Sequence, residues 1–171
     1  MKARNVLVFA TLATAACAST PQVSGGGGDN AAAATVDATG AVTYSGDFRP
    51  VQQNTGAVGM QASQRIYGTV RLIFRESTSR TNVQMRLNTN VQSSEVLTWG
   101  VVPGRCGSGG VPMTPVSQLP ALEISNMGQG EVNREGVALV LPAGATYHVN
   151  VYRGGDTLRD VIACANLRGG N

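Results

Sequence analysis

Polar and apolar residues alternate with a period of two between Arg65 and Arg75: Ile66, Val70, Leu72 and Phe74 fall on one side of an extended chain, and Arg65, Tyr67, Thr69, Arg71 and Arg75 on the other. Successive side chains of a strand point to opposite faces, so this segment presents one continuous apolar face only if it is extended. Residues 81–90 repeat the pattern, with Val83, Met85 and Leu87 inward and Gln84, Arg86 and Asn88 outward. The turn-forming run Glu76-Ser77-Thr78-Ser79 lies between the two, which predicts an antiparallel hairpin.

Further strands are expected at 42–48, 95–102, 122–125, 136–141, 146–152 and 161–167, with turns at Pro142-Ala143-Gly144 and Arg153-Gly154-Gly155-Asp156. No segment carries a helical stripe, and no period of roughly 20 to 50 residues recurs, which argues against a repeat array. About eight short strands in about 130 residues predict an all-β, antiparallel sandwich or barrel. The 171 residues, 42% of them apolar, supply the core of one domain, and no apolar run approaches the ~20 residues of a membrane-spanning helix.

The N-terminus reads as an export signal over 1–16. Lys2 and Arg4 precede an apolar run over 6–16, and small residues follow. Without that segment, 11 arginines face 10 acidic residues, a balance too close to neutral to point to nucleic acid as a partner. Residues 17–40, with Gly25-Gly26-Gly27-Gly28 and Ala31-Ala32-Ala33-Ala34, have little to bury and read as a flexible tether ahead of a domain over 41–171. The run Thr14-Ala15-Ala16-Cys17 resembles the lipobox of bacterial lipoproteins, with Thr14 in place of the usual Leu. That resemblance implies lipidation of Cys17, a membrane partner through the anchor, and outer-membrane sorting because Ala18 follows. Ordinary signal cleavage after Ala18, giving a secreted or periplasmic protein, is the alternative. Each buried methylene of an acyl chain adds about 0.8 kcal/mol of membrane affinity.

With Cys17 used or removed, Cys106 and Cys164 remain as an even pair in an oxidising compartment, which predicts a disulfide. It would close a loop of about 59 residues.

Around these cysteines, Trp99-Gly100-Val101-Val102-Pro103-Gly104-Arg105-Cys106 and Val161-Ile162-Ala163-Cys164-Ala165-Asn166-Leu167 resemble the two disulfide-bearing segments of Cu,Zn superoxide dismutases. Tyr147-His148-Val149-Asn150-Val151-Tyr152 is similar to a strand of related bacterial lipoproteins and of chordin-type (CHRD) domains. The resemblance implies a Greek-key β-sandwich in which the disulfide ties a long loop to the last strand. It also implies that Trp99, Val101 and Tyr152 stand where the copper-ligand histidines belong, and Val161 where a substrate-guiding arginine belongs, so the ligand positions are vacated and no metal is expected. The composition agrees, since one histidine, His148, cannot supply the several imidazoles such sites use.

His148 alternates with Tyr147 and Val149 and shares a face with Thr146, Asn150 and Tyr152, which reads as a solvent-facing strand histidine rather than a general base. No Gly-x-Ser-x-Gly elbow is present, and Gly104-Arg105-Cys106-Gly107-Ser108-Gly109-Gly110 lacks the Lys-Ser/Thr ending of a phosphate loop, so it reads as a loop beside the disulfide. Arg65, Arg71, Arg75 and Arg86 fall on the outward faces of the hairpin, where guanidinium groups can meet phosphates or carboxylates. These readings converge on a non-catalytic, lipid-anchored envelope protein without cofactors, serving a structural or interaction role. A module that binds an envelope glycan or polyanion is the alternative, ahead of a residual copper or zinc enzyme.

Overall fold

Nine strands follow one another along the chain: β1 (Ala41–Pro50), β2 (Ile66–Arg75), β3 (Arg80–Thr89), β4 (Glu95–Pro103), β5 (Leu122–Ile124), β6 (Gln129–Val137), β7 (Tyr147–Arg153), β8 (Asp160–Asn166) and β9 (Arg168–Gly170). The structure, a computed structural model, describes residues 37–51, 65–90, 94–154 and 158–170. The expected signal segment, Cys17 and the tether as far as residue 36 lie outside the described residues.

The expected hairpin is β2–β3, paired from Ile66↔Thr89 to Arg75↔Arg80. Its apolar positions Ile66, Val70, Leu72, Val83, Met85 and Leu87 are all buried, as the period-two reading requires. A single 3-10 turn at Glu76–Thr78 reverses the chain, with Ser79 in the left-handed region at φ 52°.

Every strand pairing is antiparallel, and the neighbours run β2-β3-β6-β5-β4-β7-β8-β1, with β1 returning to β2. The expectation of a Greek-key sandwich is corrected to a closed eight-stranded barrel plus one strand. β1 holds β2 on one edge and both β9, at Thr43–Ser45, and β8, at Arg49–Pro50, on the other, so the sheet closes on itself. The closure is narrow at two seams, one register pair between β5 and β6 (Ile124↔Gly130) and two between β1 and β8. A side chain at Gly130 would meet the Cδ1 of Ile124 at 2.5 Å, so any larger residue at the β5–β6 seam must push the Ile124 side chain aside.

Two segments depart from the sequence reading. The strand expected at 136–141 lies earlier, as β6, and the chain has left the sheet by Ala138. Apart from Val132, β6 buries only Gly130, so its alternation is invisible without the partner strand β3 that holds it from Thr81↔Val137 to Asn88↔Gln129. Leu139 and Leu141, whose spacing mimicked a strand, are fully buried in the interior instead. The Thr81 hydroxyl donates to the Leu139 carbonyl, and the Tyr44 and Tyr147 hydroxyls both donate to Pro142 O, at 2.7 and 3.2 Å. The two tyrosine rings meet edge to face at 5.5 Å. Burial drives the Tyr44 hydroxyl up to about 12, so it stays a donor at any physiological pH. β9, three residues long, has no alternation to betray it.

The interior is lined by Leu97, Trp99 and Val101 from β4, Tyr147, Val149 and Val151 from β7, and Ala163 and Ala165 from β8, facing Leu72, Met85 and Leu87 across the barrel. The outer face of β4 and β7 around Val102, His148 and Tyr152 is not solvent-facing either. The chain between β4 and β5 folds back over it: Met113 N–H donates to Val101 O at 2.8 Å, and Pro112 lies so close to Gly100 that a Cβ there would sit 2.9 Å from the proline ring. Val102 and Tyr152 are buried beneath this cover, and the cover's own Val116 is buried close to Gly100.

A candidate anion-binding groove

Outward positions of β1, β2, β3, β6 and β9 form a trough on the barrel wall. Register places Asn133, Gln84, Arg71, Ser45 and Arg168 in one row across five strands, and Glu131, Arg86, Thr69 and Asp47 in the neighbouring row on the same face. Adjacent strands lie about 4.8 Å apart, so Arg71 and Arg168, with Ser45 between them, flank a gap of roughly 10 Å at the backbone. These residues line a cavity of about 540 Å³.

A second cavity, of about 280 Å³, adjoins the first through shared Asp47 and Arg168. Arg49, Arg105, Thr146, Asn166 and both cysteines line it. Cys106 and Cys164 form the expected disulfide, with Cα atoms 6.0 Å apart, and it ties the β4–β5 connection to β8. Cys106 N–H also donates to Asn166 Oδ1 at 2.8 Å, and Gly104 N–H to Thr146 O at 2.9 Å, so the loop is pinned on both sides of Arg105.

Together the two cavities are lined by Arg49, Arg71, Arg86, Arg105 and Arg168 against Asp47 and Glu131. The excess of three positive charges exceeds the single-charge excess of the whole chain after residue 16, so the rest of that chain is net negative. A concave surface of one sign focuses its field and attracts the opposite charge. One ion pair crosses the trough, Arg86 Nη2 to Glu131 Oε1 at 3.5 Å, between side chains that are 72% and 54% exposed. A pair so open to water is worth at most about 1 kcal/mol and gives way readily to a better partner.

Of the arginines expected to make an anion-binding face, Arg71 and Arg86 lie in the groove and Arg65 and Arg75 do not. The latter two stand at opposite ends of β2, ten residues apart, or roughly 33 Å along a strand. Arg75 is moreover directly opposite Arg80. Arg49, Arg105 and Arg168 escaped the sequence reading because each comes from a separate element. The only local signals were that Arg49 shares the outward face of Ser45 and Asp47, and that Arg105 precedes a bridging cysteine.

The positions matched to copper ligands do not form one site. Trp99 and Val101 point into the barrel core, and Trp99 Nε1 donates to Pro120 O at 2.7 Å, whereas Tyr152 lies on the outer face of β7. His148 is corrected from a solvent-facing residue to a fully buried one. It lies beneath the β4–β5 connection, and neither ring nitrogen has a hydrogen-bond partner among the described residues. Burial holds its pKa below the ordinary histidine value, with the backbone of Gly104 opposing the shift. Val161 begins the outward register of β8 opposite Tyr152. Among the described residues, no three His, Cys, Asp or Glu side chains gather in a way that would hold a metal ion. No protein-family profile and no curated protein sequence matches the chain.

Proposed function

We propose that this is an exported, lipid-anchored and non-catalytic protein of the cell envelope whose barrel binds an acidic polysaccharide in the arginine groove. The observation that carries the reading is the five guanidinium groups set against two carboxylates along one continuous trough. Arginine forks suit carboxylate, sulfate and phosphate groups, and the hydroxyls and amides of Ser45, Thr69, Gln84 and Asn133 between them suit sugar hydroxyls. Tyr67, 62% exposed on the same face of β2, offers a ring on which a sugar can rest at the trough's end. The disulfide from the β4–β5 connection to β8 supports a superoxide-dismutase-like or CHRD-like ancestry, and the charged start and continuous apolar run ahead of Cys17 support the envelope anchor.

The test is binding of dextran sulfate and of neutral dextran at about 50 and 200 mM salt, where released counterions make a charged interaction salt-dependent. The sulfated chain is expected to bind with strong salt dependence, the neutral chain not at all, and Arg71→Gln combined with Arg86→Gln to weaken binding tenfold or more. Equal binding by that double variant overturns the reading.

A further inference from the structure

The smaller cavity has a composition of its own. Its three guanidinium groups come from β1 (Arg49), the β4–β5 connection (Arg105) and β9 (Arg168), and Asp47 is the one carboxylate among its lining residues. The net local charge is two positive. Asn166 accepts the Cys106 N–H through Oδ1, which leaves its amide N–H donors for a ligand, and the Thr146 hydroxyl lines the same space. A volume of about 280 Å³ is too small for a polymer segment of several residues and suits one compact charged group.

We propose that this cavity is a subsite for a phosphate monoester, assembled by the Cys106–Cys164 disulfide. The inference rests on the anionic-polysaccharide reading and names the group that this end of the groove takes. A phosphate monoester carries about −1.5 to −2 charge near neutral pH and three strong acceptor oxygens, which match two net positive charges and three separate forks better than a single carboxylate does. The disulfide matters because of where it is placed. Arg105 immediately precedes Cys106, and Arg49 is the register partner of Cys164, so the bond joins the backbone segments that carry the two arginines. Without it, Arg105 is held only through its own and its neighbours' hydrogen bonds, while the barrel keeps its ladders on both edges of β4 and β8.

The test titrates full-length protein in phosphate-free buffer with inorganic phosphate, then with glucose 6-phosphate and with vesicles containing phosphatidic acid. Binding of inorganic phosphate is expected, weakened fivefold or more by Arg105→Gln and to a similar extent by Cys106→Ser combined with Cys164→Ser, with Arg134→Gln, at an exposed position of β6 that lines neither cavity, changing it less than twofold. Wild-type affinity in both groove variants overturns the proposal. If the serine variant fails to fold, Arg49→Gln combined with Arg105→Gln decides it in the same way. Binding of the sugar phosphate or of the vesicles identifies the source of the phosphate, and binding of neither overturns the subsite. Dextran sulfate binding without phosphate binding removes this subsite alone, and phosphate binding without dextran sulfate binding removes the polysaccharide reading alone.

Discussion

Replacing Cys106 and Cys164 together by serine removes a cross-link between positions 58 residues apart in sequence. In the chain-entropy description, closing a loop of that length takes roughly 14 cal/mol/K from the unfolded chain, or about 4 kcal/mol at 25 °C. The barrel should change little, since β8 keeps six register pairs to β7. The change in the native state falls on the loop that carries Arg105, left with the Gly104 N–H to Thr146 O and Cys106 N–H to Asn166 Oδ1 hydrogen bonds. The strands span about 130 residues, for which an unfolding entropy of roughly 2.1 cal/mol/K per residue turns 4 kcal/mol into a fall of about 15 °C in Tm. Because small domains hold about 5–15 kcal/mol in all, the variant is expected to stay folded at 25 °C. Thermal melts by circular dichroism and urea titrations of oxidised wild type and variant measure the difference. The urea m value should rise in the variant, since its unfolded chain is freer to expand. A loss below about 1 kcal/mol with an unchanged m would refute the entropic argument, because it would mean that the unfolded chain is already constrained without the bond.

Two further predictions concern the barrel itself. Burial depresses the folded-state pKa of His148, so below pH ~6.5 the unfolded chain takes up a proton that the folded chain refuses, and stability falls as pH drops through that range. His148 is the chain's one histidine, so His148→Leu should flatten the dependence of the urea midpoint between pH 7.5 and 5; a slope as steep as wild type would sink the assignment. At Gly68 a Cβ would run into the backbone carbonyl of Arg86 on the paired strand, where no side chain can swing aside. Gly68→Ala is therefore expected to cost at least about 2–3 kcal/mol, read as a lowered Tm and faster amide exchange along the β2–β3 pairing, and a Tm within a degree of wild type would contradict the close approach.

The elements that the sequence revealed were those whose own residues carry a pattern. β2 and β3 each bury one face and expose the other, so their facing was readable from alternation, and the turn from the polar run Glu76-Ser77-Thr78-Ser79 between them. β6 and β9 were not, because one is polar except at Val132 and Val137 and the other is Arg168-Gly169-Gly170, and both exist as strands only through partners far away in sequence. Leu139 and Leu141 show the reverse error, since apolar spacing says that a residue is buried but not that its backbone is extended. His148 was placed on the correct side of β7 and given the wrong surroundings. A strand's outer face is dry or wet according to what lies across it, and here the β4–β5 connection covers it.

The sequence by itself determined the antiparallel β architecture, the β2–β3 hairpin, and the pairing of Cys106 with Cys164, because period-two alternation and an even cysteine count are properties of local order and composition. Tertiary structure alone decided that the sheet closes into a barrel and which arginines share a groove. Closure depends on β1 meeting β2 on one edge and β8 and β9 on the other, and the groove on Arg49, Arg71, Arg86, Arg105 and Arg168 arriving from five different segments. Charge adds up in space and not along the chain, which is why a nearly neutral sequence concealed a positively charged groove.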